Sequence, residues 1–478
     1  MASGEPTEVY YLPDISEIVS VAIDHSGKHN YSIHLYPNHI DLLDLSSLNS
    51  DRYPFLLQST AIGRQGRYDI LFAFPQQTLT LKDDGSLSGP YPQKKSFLDS
   101  LDACWASSAV KVNPEQDIPF SGGWFIYLGY ELAGEIEPEL QFDVEEGIPI
   151  AFATRVPTAI IFDRQKDQIK IVAEQGYENE LAEIIKDLNK LKNLSSVHPK
   201  SANVINIEED APDDYLNAVH EAKRYIKRGD IYQANLSRRW KATAKKSVEP
   251  TSLYARLRET NPSPFSALVS HADFTLISSS PERLVRRRGA MIDTRPIAGT
   301  SPNREINPVN KAAQRALLES EKDQAEHVML IDLERNDLGK ICKAGSVHVN
   351  EFMTVESYRH VHHIVSNVSG RATPGLTPGD LIRAVFPGGT ITGCPKIRCM
   401  QIIRQLEGRS RNAYTGSIGF IDNNGNCDFN ILIRTMIVRG REISLDAGSG
   451  IVSDSEPIAE LNETRAKAKG LLLALNEE

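Results

Sequence analysis

The sequence has little cysteine, tryptophan or methionine: 5, 3 and 6 residues in 478. The five thiols, Cys104, Cys342, Cys394, Cys399 and Cys427, are odd in number and never spaced CxxC, which excludes a disulfide-built scaffold and points to a reducing compartment. Basic residues are outnumbered by acidic ones, 53 against 63, and form no dominant block, so a nucleic-acid partner is not expected. No run of about 18 apolar residues occurs, so no membrane span is expected either. The opening MASGEPTEVYYLP carries acids where a signal peptide would be basic and then apolar, and the expected location is the cytoplasm. What the chain does have is 40% hydrophobic and 24% charged residues, the balance of a folded globular protein.

The texture changes at a polar stretch, NLSSVHPKSANVINIEEDAPDD (193–214). It divides the chain into an N-terminal region, 1–195, a linker, 196–212, and a second region, 213–478. Before the linker, YDILFAF (68–74), GGWFIYLGY (122–130) and TAIIFD (158–163) read as strands, and a helix follows over 178–192. After it, the periodicity predicts helices at 213–228, 250–258, 308–319, 320–337, 377–384, 395–406 and 456–476. Strands are predicted at 231–240, 265–270, 274–279, 284–288, 347–355, 415–422, 430–438 and 441–447. This interleaving is an α/β pattern.

Several motifs fail on inspection. GGTITGCPK (388–396) has Cys394 where a phosphate loop needs lysine. Gly448-Ser449-Gly450 follows a strand, but Ser453 stands where a dinucleotide fingerprint needs glycine. His360, His362 and His363 with Cys394 and Cys399 fit ordinary strand and helix positions better than a zinc site.

Two acidic helix faces survive. The last helix presents Glu456, Glu460, Glu463 and Lys467 at steps of four, three and four, and a second helix presents Asp323 and Glu326 three apart. Each alone reads as a solvated face. Together they offer oxygen ligands without thiol or imidazole, the donor set of a hard cation such as magnesium, which commonly takes only one or two carboxylates. Arg434, Lys467, Tyr414 and a turn at 448–450 add cations and donors, and Thr392 and Gly393 precede Pro395 at a helix start whose free amides favour an anion. A metal beside an anion clamp suits a small polycarboxylate.

At these residues the chain resembles the chorismate-utilising enzymes, the large subunits of anthranilate synthase and aminodeoxychorismate synthase with their isochorismate and salicylate synthase relatives. The resemblance runs strongly over 213–478 through GDIYQANLSRR, NPSPF, SSPERL, TRPIAGT, EKDQAEHVMLIDLERNDLG, HHIVSNVSG, FPGGTITGCPKIR, YTGSIGF, ILIRT, AGSGIV and ELNET. Earlier it includes GGWFIYLGYE and LLQS. It implies an α/β (α+β) fold of the anthranilate-synthase kind, two packed antiparallel sheets flanked by helices.

The resemblance also implies roles. Glu326 and Glu463 would ligate Mg2+, with Asp323 and Glu460 as outer carboxylates. Tyr414, Arg434, Lys467, Thr392 and the amides of Gly448, Ser449 and Gly450 would hold the two carboxylates of chorismate. Glu282 would protonate the departing C4 hydroxyl, and His363 would lie near the ring. Gln233 stands where water-activating members carry lysine, which points to ammonia as the nucleophile. No cysteine here sits in a GxCxGxQ context, so the ammonia is expected from a separate glutamine amidotransferase subunit.

Within the family, YQANLSR, NPSPFSA, FPGGTITGCPK and DFNILIRT look like aminodeoxychorismate synthase. Ala298 in PIAGT argues for anthranilate synthase, since many aminodeoxychorismate synthases carry a nucleophilic lysine there. A non-catalytic amino-acid-binding regulator is the third reading, opposed by the intact acids on both helices. Leu57, Gln58 and Ser59 with Asn261, Pro262, Ser263, Pro264 and Phe265 resemble the family's tryptophan pocket. Gln58 replaces the usual glutamate, which removes the charge partner of an amino group and argues against tight feedback by bound tryptophan.

Overall fold

The computed structural model of the chain describes residues 20–23, 29–61, 66–89, 94–109, 118–192, 203–302, 315, 318–357 and 361–476. The expected helix at 308–319 lies almost wholly outside them, as do residues 196–202 of the expected linker.

In chain order the early strands are β1 (Ser20–Ile23), β2 (His29–Tyr36), β3 (Phe55–Gln58), β4 (Tyr68–Ala73), β5 (Thr78–Leu81), β6 (Leu87–Ser88), β7 (Gly123–Leu128), β8 (Ala151–Val156), β9 (Thr158–Asp163) and β10 (Gln168–Glu174). Then come β11 (Val204–Glu209), β12 (Gln233–Ala244), β13 (Phe265–His271), β14 (Phe274–Ser280), β15 (Arg283–Arg288), β16 (Met291–Arg295), β17 (Ile297–Pro302) and β18 (His348–Ser357). The last are β19 (Val361–Arg371), β20 (Gly393–Cys394), β21 (Ser417–Asp422), β22 (Cys427–Asn430), β23 (Thr435–Arg439) and β24 (Glu442–Ile451).

Among the described residues these form two antiparallel sheets. The first has thirteen strands in the order β1-β2-β10-β9-β4-β3-β13-β14-β23-β24-β12-β11, with β20 paired to β12. The second has eleven, in the order β17-β19-β16-β15-β22-β21-β7-β8-β5-β6, with β18 paired to β19. Both sheets take strands from either side of the expected linker, and the linker's own residues 204–209 pair with β12 as an edge strand.

Side chains alternating inward from the two sheets make one core between them. Phe55 and Phe72 of the first sheet meet Phe125 and Phe420 of the second, Phe55 stacking on Phe125 at 4.1 Å between ring centres and Phe72 meeting Phe125 edge-on at 5.5 Å. The helices cover the outer faces. Leu43, Ile184, Leu253 and Leu471 anchor one set on the first sheet, and Leu101, Ile331 and Leu381 anchor another on the second. Their ends follow local chemistry: Thr377 and Asp380 form a reciprocal capping box, Pro250 and Pro457 open their helices at the first turn, and Gly408 closes Lys396–Glu407 in the left-handed region at φ 59°. No helix among the described residues is long and apolar enough to cross a membrane.

Three predicted elements change. The strand expected over 430–438 is broken between β22 and β23, because the chain there leaves one sheet for the other. The turn expected at 448–450 is instead part of β24, paired with β12 through Ser237↔Gly448 and Asn235↔Gly450. Pro395 caps its helix rather than opening it, and Gly393–Cys394 pair with Gln233–Ala234, so the amides there belong to a bridge.

Phe125→Ala would leave a cavity where three other phenylalanines meet, a loss of about 3–5 kcal/mol in such cores. Urea unfolding should show a cost of that order. A change below about 1 kcal/mol would contradict the inter-sheet core.

Candidate active site

Two neighbouring chain segments cross between the sheets side by side. β14 of the first sheet runs through Pro281 and Glu282 into β15 of the second, and β22 of the second returns through 431–434 into β23 of the first. The crossings are paired: Ser278↔Thr435 on one side, Arg283↔Asn430 on the other, with Ile431 N–H donating to Glu282 O at 3.0 Å and Ser279 N–H to Arg434 O at 3.0 Å. Arg434 takes the left-handed φ of 51°, rare for a side-chain-bearing residue and common at constrained sites. The crossing therefore brings a buried Glu282 and a part-buried Arg434 near one another between the sheets.

Glu282 is 5% exposed, and its Oε1 has no hydrogen-bond partner. Burial raises its pKa from 4.5 to about 7, against the opposing pull of the Thr390 hydroxyl, the Ile297 amide, Lys467 and Arg434. Ala298 follows that amide directly and is itself buried. His363, 2% exposed, lies on the next strand, where β19 pairs with β17. Burial lowers the pKa of Arg434, while Glu282 opposes the shift.

The expected anion wall falls on β24 and what packs on it. Lys467, on helix Pro457–Leu475, donates to Gly448 O at 3.0 Å and pairs with Glu463 at 2.7 Å. A Cβ at Gly448 would fall 2.5 Å from the Tyr414 hydroxyl, so only glycine lets the two approach. Gly450 is constrained in the same way: its Cβ would lie 2.3 Å from Gln233 Nε2 and 3.4 Å from Glu326 Oε1. Gln233 Nε2 donates to Glu326 Oε1 at 3.0 Å, joining helix Glu321–Gly339, which packs on the second sheet, to β12 of the first. Asn235 N–H donates to Thr392 O at 2.9 Å, while the Thr392 hydroxyl donates to Gly388 O at 3.0 Å.

The predicted residues thus converge, with qualifications. Ser449 turns its hydroxyl to Tyr215 at 2.7 Å, so only its backbone serves the wall. The four-residue stripe on the last helix is not one solvated face, since Glu460 is buried and Glu463 exposed. The side chain of Asp323 lies outside the described residues. Leu57, Gln58, Ser59, Pro264 and Phe265 line a separate cavity of about 440 Å³. Asn261 turns away from it to Ser279 Oγ at 2.7 Å. Gln58 spends both ends of its amide inside the protein, Oε1 accepting from Tyr254 at 3.1 Å and Arg258 at 3.3 Å and Nε2 donating to Asp69 at 3.2 Å.

Sequence reasoning missed Glu334, a 6% exposed carboxyl on the inner face of Glu321–Gly339. Burial and then Asp337 raise its pKa to about 8, with Glu282 a further contributor. Its signal was available, an acid on the same helical stripe as His327, Ile331 and Leu338.

A glutamate whose folded pKa lies above its unfolded value is most stabilising when protonated, below about 4.5, and that contribution is lost as pH rises through about 7. Glu282→Gln cannot ionise. The variant should gain on the wild type by up to about 3 kcal/mol between pH 5 and pH 8 in urea unfolding. A pH-independent difference would contradict a neutral Glu282.

Residues 54–473 match the family model described as chorismate binding enzyme. An anthranilate synthase component I-like protein of Synechocystis sp. is 39% identical over 421 residues, 86% of this chain and 83% of its own length. Aminodeoxychorismate synthase component 1 of Bacillus subtilis is 38% identical over 445 residues, 89% and 92% of the two chains. The crystal structure of anthranilate synthase component I from Streptococcus pneumoniae superposes with a TM-score of 0.75 at 32% identity, covering 86% of this chain and 93% of that one. Family motifs gathered at a paired crossing of two sheets, and a family match over residues 54–473, lead to one conclusion: the chain belongs to the chorismate binding enzymes.

Proposed function

We propose that the chain aminates chorismate with ammonia to 4-amino-4-deoxychorismate, as the large subunit of an aminodeoxychorismate synthase. The observation that carries the reaction class is Glu282, a buried carboxyl whose pKa burial raises to about 7, so that a large share of it keeps its proton at neutral pH, near Arg434 and Lys467. Chorismate is a dianion whose C4 hydroxyl leaves poorly. Arg434, Lys467, Tyr414 and the β24 backbone would bind its carboxylates, and Glu282 would give its proton to the hydroxyl, which departs as water. Ammonia forms the new C–N bond, and the proton it sheds returns to the Glu282 carboxylate, closing the cycle.

Glu326 and Glu463 suit magnesium by donor type: both offer carboxylate oxygen, and they flank the 448–450 segment through Gln233 and Lys467. Magnesium bound there would neutralise charge on the substrate carboxylate. Asp323 and Glu460 belong to the same two helices, and by the resemblance would be the outer carboxylates.

The product rests on the segments around Gln233, Asn261, Phe386 and Asp428, which resemble the aminodeoxychorismate enzymes. Ala298 favours the second reading, anthranilate synthase. With no lysine there, either ammonia adds at C2 as the C4 hydroxyl leaves as water, or water or another group adds at C2 as that hydroxyl leaves and is itself expelled when ammonia enters at C4. Ammonia is supplied by a separate glutamine amidotransferase, in keeping with the absence of a glutaminase cysteine motif. The cavity at Leu57 and Phe265 is the counterpart of the tryptophan pocket. The internal use of the Gln58 amide argues that tryptophan, if it binds, regulates weakly.

Incubation with chorismate, magnesium and ammonia should give a non-fluorescent amino compound that becomes 4-aminobenzoate only when a lyase is added. Glutamine should replace ammonia only with an amidotransferase present. Fluorescent anthranilate without lyase would move the assignment to the second reading.

Glu463→Gln tests the metal. Turnover should fall by about a hundredfold or more while the melting curve stays near wild type. Near-normal turnover at saturating magnesium would remove Glu463 from the metal site.

A further inference from the structure

The residues that form the carboxylate wall lie on separate elements, yet one buried guanidinium contacts Tyr414 and the backbone neighbours of Thr392 and the β24 glycines. Arg411 is 1% exposed. Its Nη2 donates to Asn235 O at 2.7 Å and to Glu407 Oε1 at 2.6 Å, its Nε to Glu407 Oε2 at 2.9 Å, and its Nη1 to Ile391 O and Thr415 Oγ1, both at 3.3 Å. Those bonds use all five donors of the fork, so none is left for a ligand. The guanidinium carbon also lies 5.4 Å from the Tyr414 ring centre and 4.9 Å from that of Tyr130, within cation–π range.

Each of these contacts ends beside a wall residue. Ile391 precedes Thr392. Asn235 is the β-partner of Gly450, and Ser237, the partner of Gly448, gives its N–H and hydroxyl to Glu407 Oε1 at 2.8 and 2.9 Å. The Tyr414 hydroxyl abuts Gly448 itself. The buried pair therefore spans Tyr414, the Thr392 loop and the strand β12 behind the glycines, and no other described ion pair touches all of them.

We infer that Arg411, paired with Glu407, is a positioning residue that sets the spacing of the substrate-carboxylate wall without touching substrate. Lysine cannot take its place, because one ammonium offers three donors from a single point and no planar face to Tyr414. The inference rests on the chorismate reading of the site.

The test varies chorismate at saturating ammonia and magnesium for wild type, Arg411→Lys and the double variant Arg411→Met with Glu407→Met. The double variant leaves no lone buried charge and so keeps the test open if the single one unfolds. KM should rise about tenfold or more, with kcat within about threefold, and the chorismate dissociation constant measured by calorimetry without ammonia should rise in parallel. A purely structural role would lower the active fraction, reducing kcat and leaving KM and the dissociation constant at wild-type values; that result overturns the positioning role. A wild-type chain that neither binds nor turns over chorismate overturns the reading beneath it, and the two failures are distinct.

Discussion

The structure depends on one constraint: two adjacent segments must pass from one sheet to the other while keeping their backbones paired. Only a few residues are available for each passage, Pro281–Glu282 on one strand and 431–434 on the other, and the ladder resumes on both sides. Of the mid-crossing residues, Ile431 and Leu432 join the apolar clusters on either side and Ile433 packs against one of them. Glu282 does not: it is buried in the gap at the crossing, with the part-buried Arg434 near enough to act on its pKa. The helices then supply acids from opposite sides, Glu326 from the layer on the second sheet and Glu463 from the layer on the first.

Electrostatics follow from that gap. A buried carboxyl prefers to be neutral, and a neutral Glu282 leaves Arg434 without a full countercharge, while Lys467 is partly answered by Glu463 at the exposed rim. Arg434 and Lys467 thus place two cations near Glu282 in a chain whose net charge is −10. The protein deals differently with the charges behind the wall. Arg411 and Glu407 satisfy one another and the neighbouring carbonyls, so that region is polar, rigid and closed.

Much of this was legible. TAIIFD spans β9 residue for residue, and the helices at 213–228, 250–258 and 456–476 fall within two residues of those observed. What escaped has physical reasons. Periodicity reports which face of a strand is buried and says nothing about a change of sheet, so 430–438 reads as one strand although Arg434 breaks it. Gly-Ser-Gly reads as a turn because glycine lacks a side chain to declare a face, and in β24 it lies in a strand because Tyr414 and Gln233 occupy the space a Cβ would need. β19 was passed over because His362, His363, Ser366 and Asn367 interrupt its apolar pattern, although it pairs on both sides over most of its length. Arg411 was hidden for another reason: an arginine four residues beyond a glutamate at a helix end looks like a surface pair, and only the fold encloses it.

The most direct measurement of the central claim is a crystal structure of the Glu282→Gln variant with chorismate and magnesium. The C4 hydroxyl should lie within hydrogen-bond distance of residue 282, with the carboxylates against Tyr414, Arg434 and the Gly448–Gly450 backbone. Chorismate seated in the cavity beside Leu57 and Phe265, or with its C4 hydroxyl turned away from residue 282, would contradict it.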